Sequence, residues 1–127
     1  PPSAEKKYVN KQVESLSIKC ASIEQNVQYL SGGNKQKVVF GKWIGRDGDI
    51  LILDCPTRGV DIGVKAAMYQ LIEDMKKAGK TIIMISEELA ELIGMSDRLL
   101  ILKDGALAGE FFRSPDLTDS QIIDCMI

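Results

Sequence analysis

The sequence contains no histidine. That removes the side chain whose charge changes near neutral pH and excludes imidazole as a base, metal ligand or phosphate contact supplied by this chain. Cysteine is scarce: Cys20, Cys55 and Cys125 are an odd number with no C-x-x-C spacing, so neither a disulfide framework nor a zinc site is indicated, and a cytosolic setting fits. No apolar stretch approaches the roughly 20 residues needed to span a bilayer, and no signal peptide opens the sequence, so the expectation is a soluble, intracellular chain. Basic residues are not in excess, 16 against 18 acidic, and the formal net charge is -2. Phosphate backbones call for a clustered basic surface, so nucleic acid is not an expected partner. At 127 residues the chain holds at most one domain, small enough that a partial domain is also admitted.

What is present alternates between apolar runs and turn residues. The first dozen residues, with Pro1-Pro2 and mixed charges around Glu5, Lys6 and Lys7, lack a clear apolar period and read as a loose entry. A weakly helical or irregular stretch is expected up to about Tyr29. Ser31-Gly32-Gly33 then precedes Val39 and Trp43, and Phe40 and Ile44, at helical four-residue spacing, ending near Gly45-Arg46-Asp47-Gly48. Ile50 to Leu53 is a wholly apolar run ending in Asp54, the pattern of a strand buried on both faces of a parallel sheet. Val64, Ala67, Met68, Leu71, Ile72 and Met75 form one helical stripe closed by Gly79. Thr81 to Ile85 reads as a second buried strand, which makes one βαβ crossover. Arg98 to Lys103 and Ala106 to Phe112 flank Asp104-Gly105, a hairpin turn expected to close the sheet. Thr118 and Gln121 form a capping-box pattern before a short final helix.

Two features carry possible chemistry. Asp54 ends a buried strand, where open α/β sheets bind ligands and where P-loop nucleotidases hold magnesium; alternatively it is only a turn aspartate. Ser31-Gly32-Gly33 opens a helix, and its glycines would let a ligand approach backbone N–H groups; alternatively it is an ordinary turn.

In combination the wording is specific. Leu-Ser-Gly-Gly-Asn-Lys-Gln-Lys at 30 to 37, then Leu51-Ile52-Leu53-Asp54-Cys55-Pro56-Thr57, then Asp61, resembles the signature, Walker B and D-loop motifs of ABC transporter ATPases. Arg58-Gly59-Val60-Asp61-Ile62-Gly63 and Gly94-Met95-Ser96-Asp97-Arg98 resemble the second nucleotide-binding domain of bacterial simple-sugar importers of the ribose and galactose type. The likeness runs from about Leu16 to Phe112. It implies an α/β fold, a partial P-loop domain with a mainly parallel sheet flanked by helices and a terminal hairpin. The signature-bearing helical part would occupy about 1–48 and the Walker B sheet core 49–127 of one truncated domain. The resemblance further implies ATP and Mg²⁺ as cofactors of the whole protein, binding poorly to this chain alone, with Asp54 toward the metal. Ser31, Gly32, Gly33 and Asn34 would touch nucleotide bound to a partner domain, and Asp61 would couple the two sites while also capping a helix. Asn34 stands where many relatives carry glutamine, which keeps an amide. The implied partners are a second nucleotide-binding domain, transmembrane permease subunits and, indirectly, a sugar-binding protein, at the cytoplasmic face of the plasma membrane.

The departures concern catalysis. Cys55 occupies the position of the Walker B glutamate that activates water, and a thiol, mostly protonated at neutral pH, is a poor base; its loss would cost on the order of 10²- to 10⁴-fold in rate. Cys55 also suits a small buried filler. Glu87 stands at the position of the switch histidine, where a carboxylate would repel phosphate. Both point to a degenerate site that hydrolyses ATP poorly. Gly79-Lys80-Thr81 imitates the end of a Walker A loop, but it leaves a helix for a strand, the reverse of a P-loop, and the earlier glycine position is Asp74. Two other readings remain beside the sugar-importer ATPase: a non-transport ABC ATPase, and a catalytically inactive docking or regulatory module.

Overall fold

A computed structural model describes residues 1–127. The chain divides into two units, residues 1–51 with 57–83 and residues 52–56 with 84–127.

The first unit is helical apart from strand beginnings. Helix α1 spans Pro2–Ser15, α2 spans Gly32–Ile44 and α3 spans Ile62–Lys77, with one 3-10 turn at Val27–Tyr29. The loose entry expected for the first dozen residues is therefore a helix. Its periodicity is masked because its stripe is Tyr8, Gln12 and Leu16, two of them carrying polar atoms. Tyr8 Oη donates to Gly41 O at 2.6 Å, and the buried Leu16 packs against Gly41. Tertiary contact with α2, not local propensity, holds α1 in place. On α2 only Phe40 of the four spaced apolar residues is buried; Trp43 faces outward with the Arg46 guanidinium 5.3 Å over its ring. On α3 most of the expected stripe is covered: Met68, Ile72 and Met75 are buried and Val64 and Leu71 half-buried, while Ala67 is exposed. The helix stops at Gly79, whose N–H donates to Lys76 O while Lys80 N–H donates to Met75 O, the bonds of a helix C-terminus that closes on a glycine.

Strands β1 (Ile50–Asp54) and β2 (Thr81–Ile85) pair with each other in parallel. Thr81 N–H donates to Asp49 O at 2.9 Å and Cys55 N–H to Ile85 O at 2.9 Å. The crossover through α3 is as expected, but burial on both faces is not. Ile50 and Ile52 are 62% and 65% exposed, and Ile83 and Ile85 are half exposed. Side chains alternate across a strand, and here only the face bearing Leu51, Leu53, Ile82 and Met84 is partly covered.

In the second unit β3 (Arg98–Lys103) and β4 (Ala106–Phe112) form an antiparallel hairpin. Asp104 and Gly105 turn it with φ of 50° and 76°, as the dipeptide implies. The hairpin does not close the β1–β2 sheet; it is a separate two-stranded sheet. Helix α4 (Leu89–Met95) precedes it and α5 (Asp119–Met126) follows. Helix α4 is absent from the sequence reading because seven residues give too little periodicity to register. Helix α5 begins with the expected capping box between Thr118 and Gln121. Leu99, Ile101 and Ile122 form the core of this unit, with Leu89, Leu92, Ile93, Phe111 and Leu117 packed around them.

Ile122 is 0% exposed, whereas its neighbour Ile123 is 42% exposed. Ile122→Ala is expected to cost about 2–5 kcal/mol, and Ile123→Ala about 0.5 kcal/mol or less. Urea unfolding of the two variants checks this; equal losses would place the α5 core contact elsewhere.

Candidate functional site

In the first unit the residues picked out by sequence gather at two helix starts. Ser31 is the N-cap of α2 and Asp61 the N-cap of α3. A helix start leaves amide N–H groups without intrahelical partners, and short polar side chains supply acceptors. Ser31 Oγ accepts twice from Asn34, from its backbone N–H at 3.3 Å and its side-chain Nδ2 at 2.9 Å. Asn34 Oδ1 in turn accepts from Lys19 N–H at 2.9 Å, tying the preceding loop to the helix. Lys37 Nζ adds a second tie, donating to Ser17 O at 3.1 Å.

A hydroxyl has two lone pairs and one hydrogen. Both lone pairs of Ser31 are taken by Asn34, and Ser31 donates to no acceptor in the chain, so its hydrogen is available to a ligand. Ser31 and Gly32 are exposed. The amides of Gly32 and Gly33, in the first turn of α2, add donors at the positive end of the helix dipole.

The two glycines differ sterically. A Cβ on Gly32 would meet nothing within 4 Å, whereas one on Gly33 would lie 2.7 Å from Val64 Cγ2. Val64 is in the first turn of α3, and its N–H is the donor to Asp61 Oδ1 at 2.9 Å. The structure thus brings Ser31, Gly32, Gly33 and Asn34 next to the Asp61 cap through one contact that sequence reasoning missed. Gly33 and Val64 lie 31 positions apart, and no local pattern links them.

In the second unit Asp54 is exposed at the end of β1. Cys55 follows in a left-handed conformation with φ of 45°, which costs a non-glycine residue on the order of 1 kcal/mol. After β2, Ser86 Oγ donates to Glu91 Oε2 and accepts from Glu88 N–H at 3.0 Å. Glu91 is only 6% exposed. This clamp, which the sequence reading did not find, fixes the loop carrying the exposed Glu87. No set of three or more histidine, cysteine or acidic side chains stands in an arrangement that could hold a metal ion. Asp54 alone fits the role of one carboxylate toward a magnesium ion whose other ligands are water and phosphate.

Gly79-Lys80-Thr81 is committed elsewhere. Lys80 Nζ donates to Gly48 O at 2.8 Å and to Asp47 Oδ1 at 3.1 Å, so it pins the entry to β1.

Removing one partner of a buried hydrogen bond leaves the other unsatisfied. Glu91→Ala is expected to lower stability by about 1–3 kcal/mol, and Glu91→Gln, which keeps an acceptor oxygen, by less. Asp61→Ala is expected to cost about 0.5–2 kcal/mol as a lost cap, with Asp61→Asn close to neutral. Denaturant titration reads all four, and equal losses from Glu91→Ala and Glu91→Gln would refute the clamp.

No protein-family model matches the chain. It is 47% identical over 120 residues to a ribose import ATP-binding protein of Bacillus licheniformis, a match that covers 94% of the chain and 24% of that protein. It is 50% identical over 103 residues to a galactose/methyl galactoside import ATP-binding protein of Clostridium tetani, covering 81% of the chain and 20% of that protein. The chain therefore spans about a quarter or less of the curated relatives it matches. Among solved structures, an ATP-binding cassette of an ABC transporter superposes with a TM-score of 0.80 at 21% identity, covering 98% of this chain and 50% of that one. A dimeric ATP-binding cassette in a post-hydrolysis state bound to ADP and phosphate gives 0.73 at 21% identity, covering 84% and 46%. These two show the fold, which is that of part of an ABC ATPase cassette; the sequence likeness places the chain among the ABC transporter ATP-binding proteins.

Proposed function

We propose that this chain is the C-terminal part of the second nucleotide-binding domain of a bacterial sugar importer, and that its Ser31–Asn34 loop completes the ATP site of a partner nucleotide-binding domain. The observation that carries this reading is the state of the Ser31 hydroxyl. Asn34 saturates it as an acceptor, so toward a ligand it acts only as a donor, beside the amides of Gly32 and Gly33. Donors without acceptors suit a phosphate. Asp61, capping the adjacent helix, would connect that contact to the rest of the domain.

The chain's own site is poor at hydrolysis in this reading. ATP and Mg²⁺ supply the reactive phosphoanhydride and the charge neutralisation when bound to the whole protein. Of this chain's residues, Asp54 would face the metal. Cys55 puts a thiol where a carboxylate base would stand, and Glu87 presents a carboxylate where phosphate needs a donor. Gly79-Lys80-Thr81 does not serve as a phosphate cradle, since Lys80 is bound to Asp47 and Gly48. The partners are the second nucleotide-binding domain, the permease subunits at the cytoplasmic face of the membrane and, through them, a sugar-binding protein. No helix of the chain is long and apolar enough to cross a membrane. The import proteins among its relatives favour uptake over a non-transport ABC role or an inactive docking module.

ATP turnover of the full-length protein is the test. Ser31→Arg is expected to abolish most of it, because a long cation replaces the small donor at the contact; unchanged turnover removes the trans reading. Cys55→Glu is expected to leave turnover unchanged or to raise it, since glutamate adopts the positive φ at the same cost as cysteine. A large loss would give Cys55 a working role and end the claim of a degenerate site.

A further inference from the structure

We propose that Val64 is a positioning residue that joins the Ser31 and Asp61 helix caps into one mechanical body, so that the loop meant for a partner's nucleotide cannot move without Asp61. This rests on the trans reading of Ser31 and concerns the regulation of that same site. Three observations meet at Val64. Its side chain lies against Gly33, where a Cβ would come within 2.7 Å of Cγ2, 3.1 Å of Cγ1 and 3.4 Å of Cβ. Its backbone N–H is the donor held by Asp61 Oδ1 at 2.9 Å. Gly33 itself lies between Ser31 and Asn34, whose mutual hydrogen bonds fix the start of α2.

The contact is stiff. A valine in a helix has essentially one side-chain rotamer, so its methyl groups cannot swing aside as the end of a long side chain would. A methyl group added at Gly33 would push the first turn of α3, and with it the amide that Asp61 holds. Gly33 and Gly32 thus have different reasons to lack a side chain. Gly32 has open space in front of it, as a ligand-facing position requires. Gly33 is excluded from growing by Val64, from within its own unit.

Size exchange across the contact tests this in the full-length protein. Gly33→Ala gains some intrinsic helix propensity but crowds Val64, so the thermal midpoint is expected to fall slightly, while turnover per folded molecule falls at least about tenfold through misplaced groups. Val64→Ala is expected to cost less turnover than Gly33→Ala. In the double variant, alanine at 64 makes room for alanine at 33, and most of the turnover lost in Gly33→Ala is expected to return, through kcat more than KM. If the double variant stays as impaired as Gly33→Ala, the glycine serves ligand approach and Val64 positions nothing. If Gly33→Ala lowers the midpoint and the double variant restores it with turnover per folded molecule unchanged throughout, the contact is packing alone, which also overturns the proposal. Ser31→Arg run in parallel separates the two levels: wild-type turnover there fails the trans reading and this inference with it, whereas a dead Ser31→Arg with no rescue in the double variant fails this inference only.

Discussion

The first turn of an α-helix has amide hydrogens that the helix itself cannot satisfy, and the candidate site of the first unit is built on how α2 and α3 meet that need. At α3 the answer is a carboxylate, Asp61, bonded to Val64 N–H. At α2 it is a hydroxyl, Ser31, bonded twice by Asn34. The difference matters chemically. A carboxylate cap is an acceptor and repels anions, whereas a hydroxyl used up as an acceptor is left with only a hydrogen to offer. The two caps are neighbours because Gly33 lets Val64 approach, so donor and acceptor sit on adjoining turns with separate tasks.

Much of this was legible in the sequence, and the reasons are local. Ser31 before two glycines, Thr118 with Gln121, Asp104 with Gly105 and the stripe from Val64 to Met75 each depend on contacts within a few residues, and each element forms as read. The same holds for the reversed Gly79-Lys80-Thr81, whose lysine binds Asp47 and Gly48 instead of anything at a helix start. What was not legible is long-range. Helix α1 is held by Tyr8 and Leu16 across to Gly41, and its own composition argues weakly for a helix. The Ser86–Glu91 clamp needs the chain to turn into a seven-residue helix whose pattern is too short to read. The apolar runs at 50–53 and 81–85 name strands correctly, yet periodicity carries no information on how many layers cover them, and one face of each is open.

The residues of the second unit obey a different constraint. Chain direction at the end of β1 is set by the left-handed turn at Cys55, anchored by its N–H on Ile85 O. That conformation is unfavourable for any residue with a Cβ, so neither cysteine nor glutamate has a backbone advantage there. The identity of residue 55 is free to be decided by chemistry and packing. The buried Glu91 performs the comparable service at the end of β2, holding Ser86 and through it the amide of Glu88. Both strand ends are therefore fixed in backbone, while Asp54 and Glu87 stand outward on them.

Set side by side, the two groups of residues have opposite electrostatic character. Ser31, Gly32 and Gly33 offer hydrogens at the positive end of a helix dipole and can meet a phosphate without a cation. Asp54 and Glu87 offer carboxylates, with Cys55 between them in chain order and no histidine anywhere in the sequence. An anion reaches such a surface only behind a divalent cation, and a single carboxylate of the magnesium-holding kind leaves most of that cation's ligands to water and to the nucleotide itself. A donor loop of this kind can meet a phosphate without a cation, while acidic strand ends need one. The proposed division of labour follows from that asymmetry: what this chain can give to nucleotide chemistry unaided is hydrogen-bond donors, and donors act as well on a neighbour's phosphate as on its own.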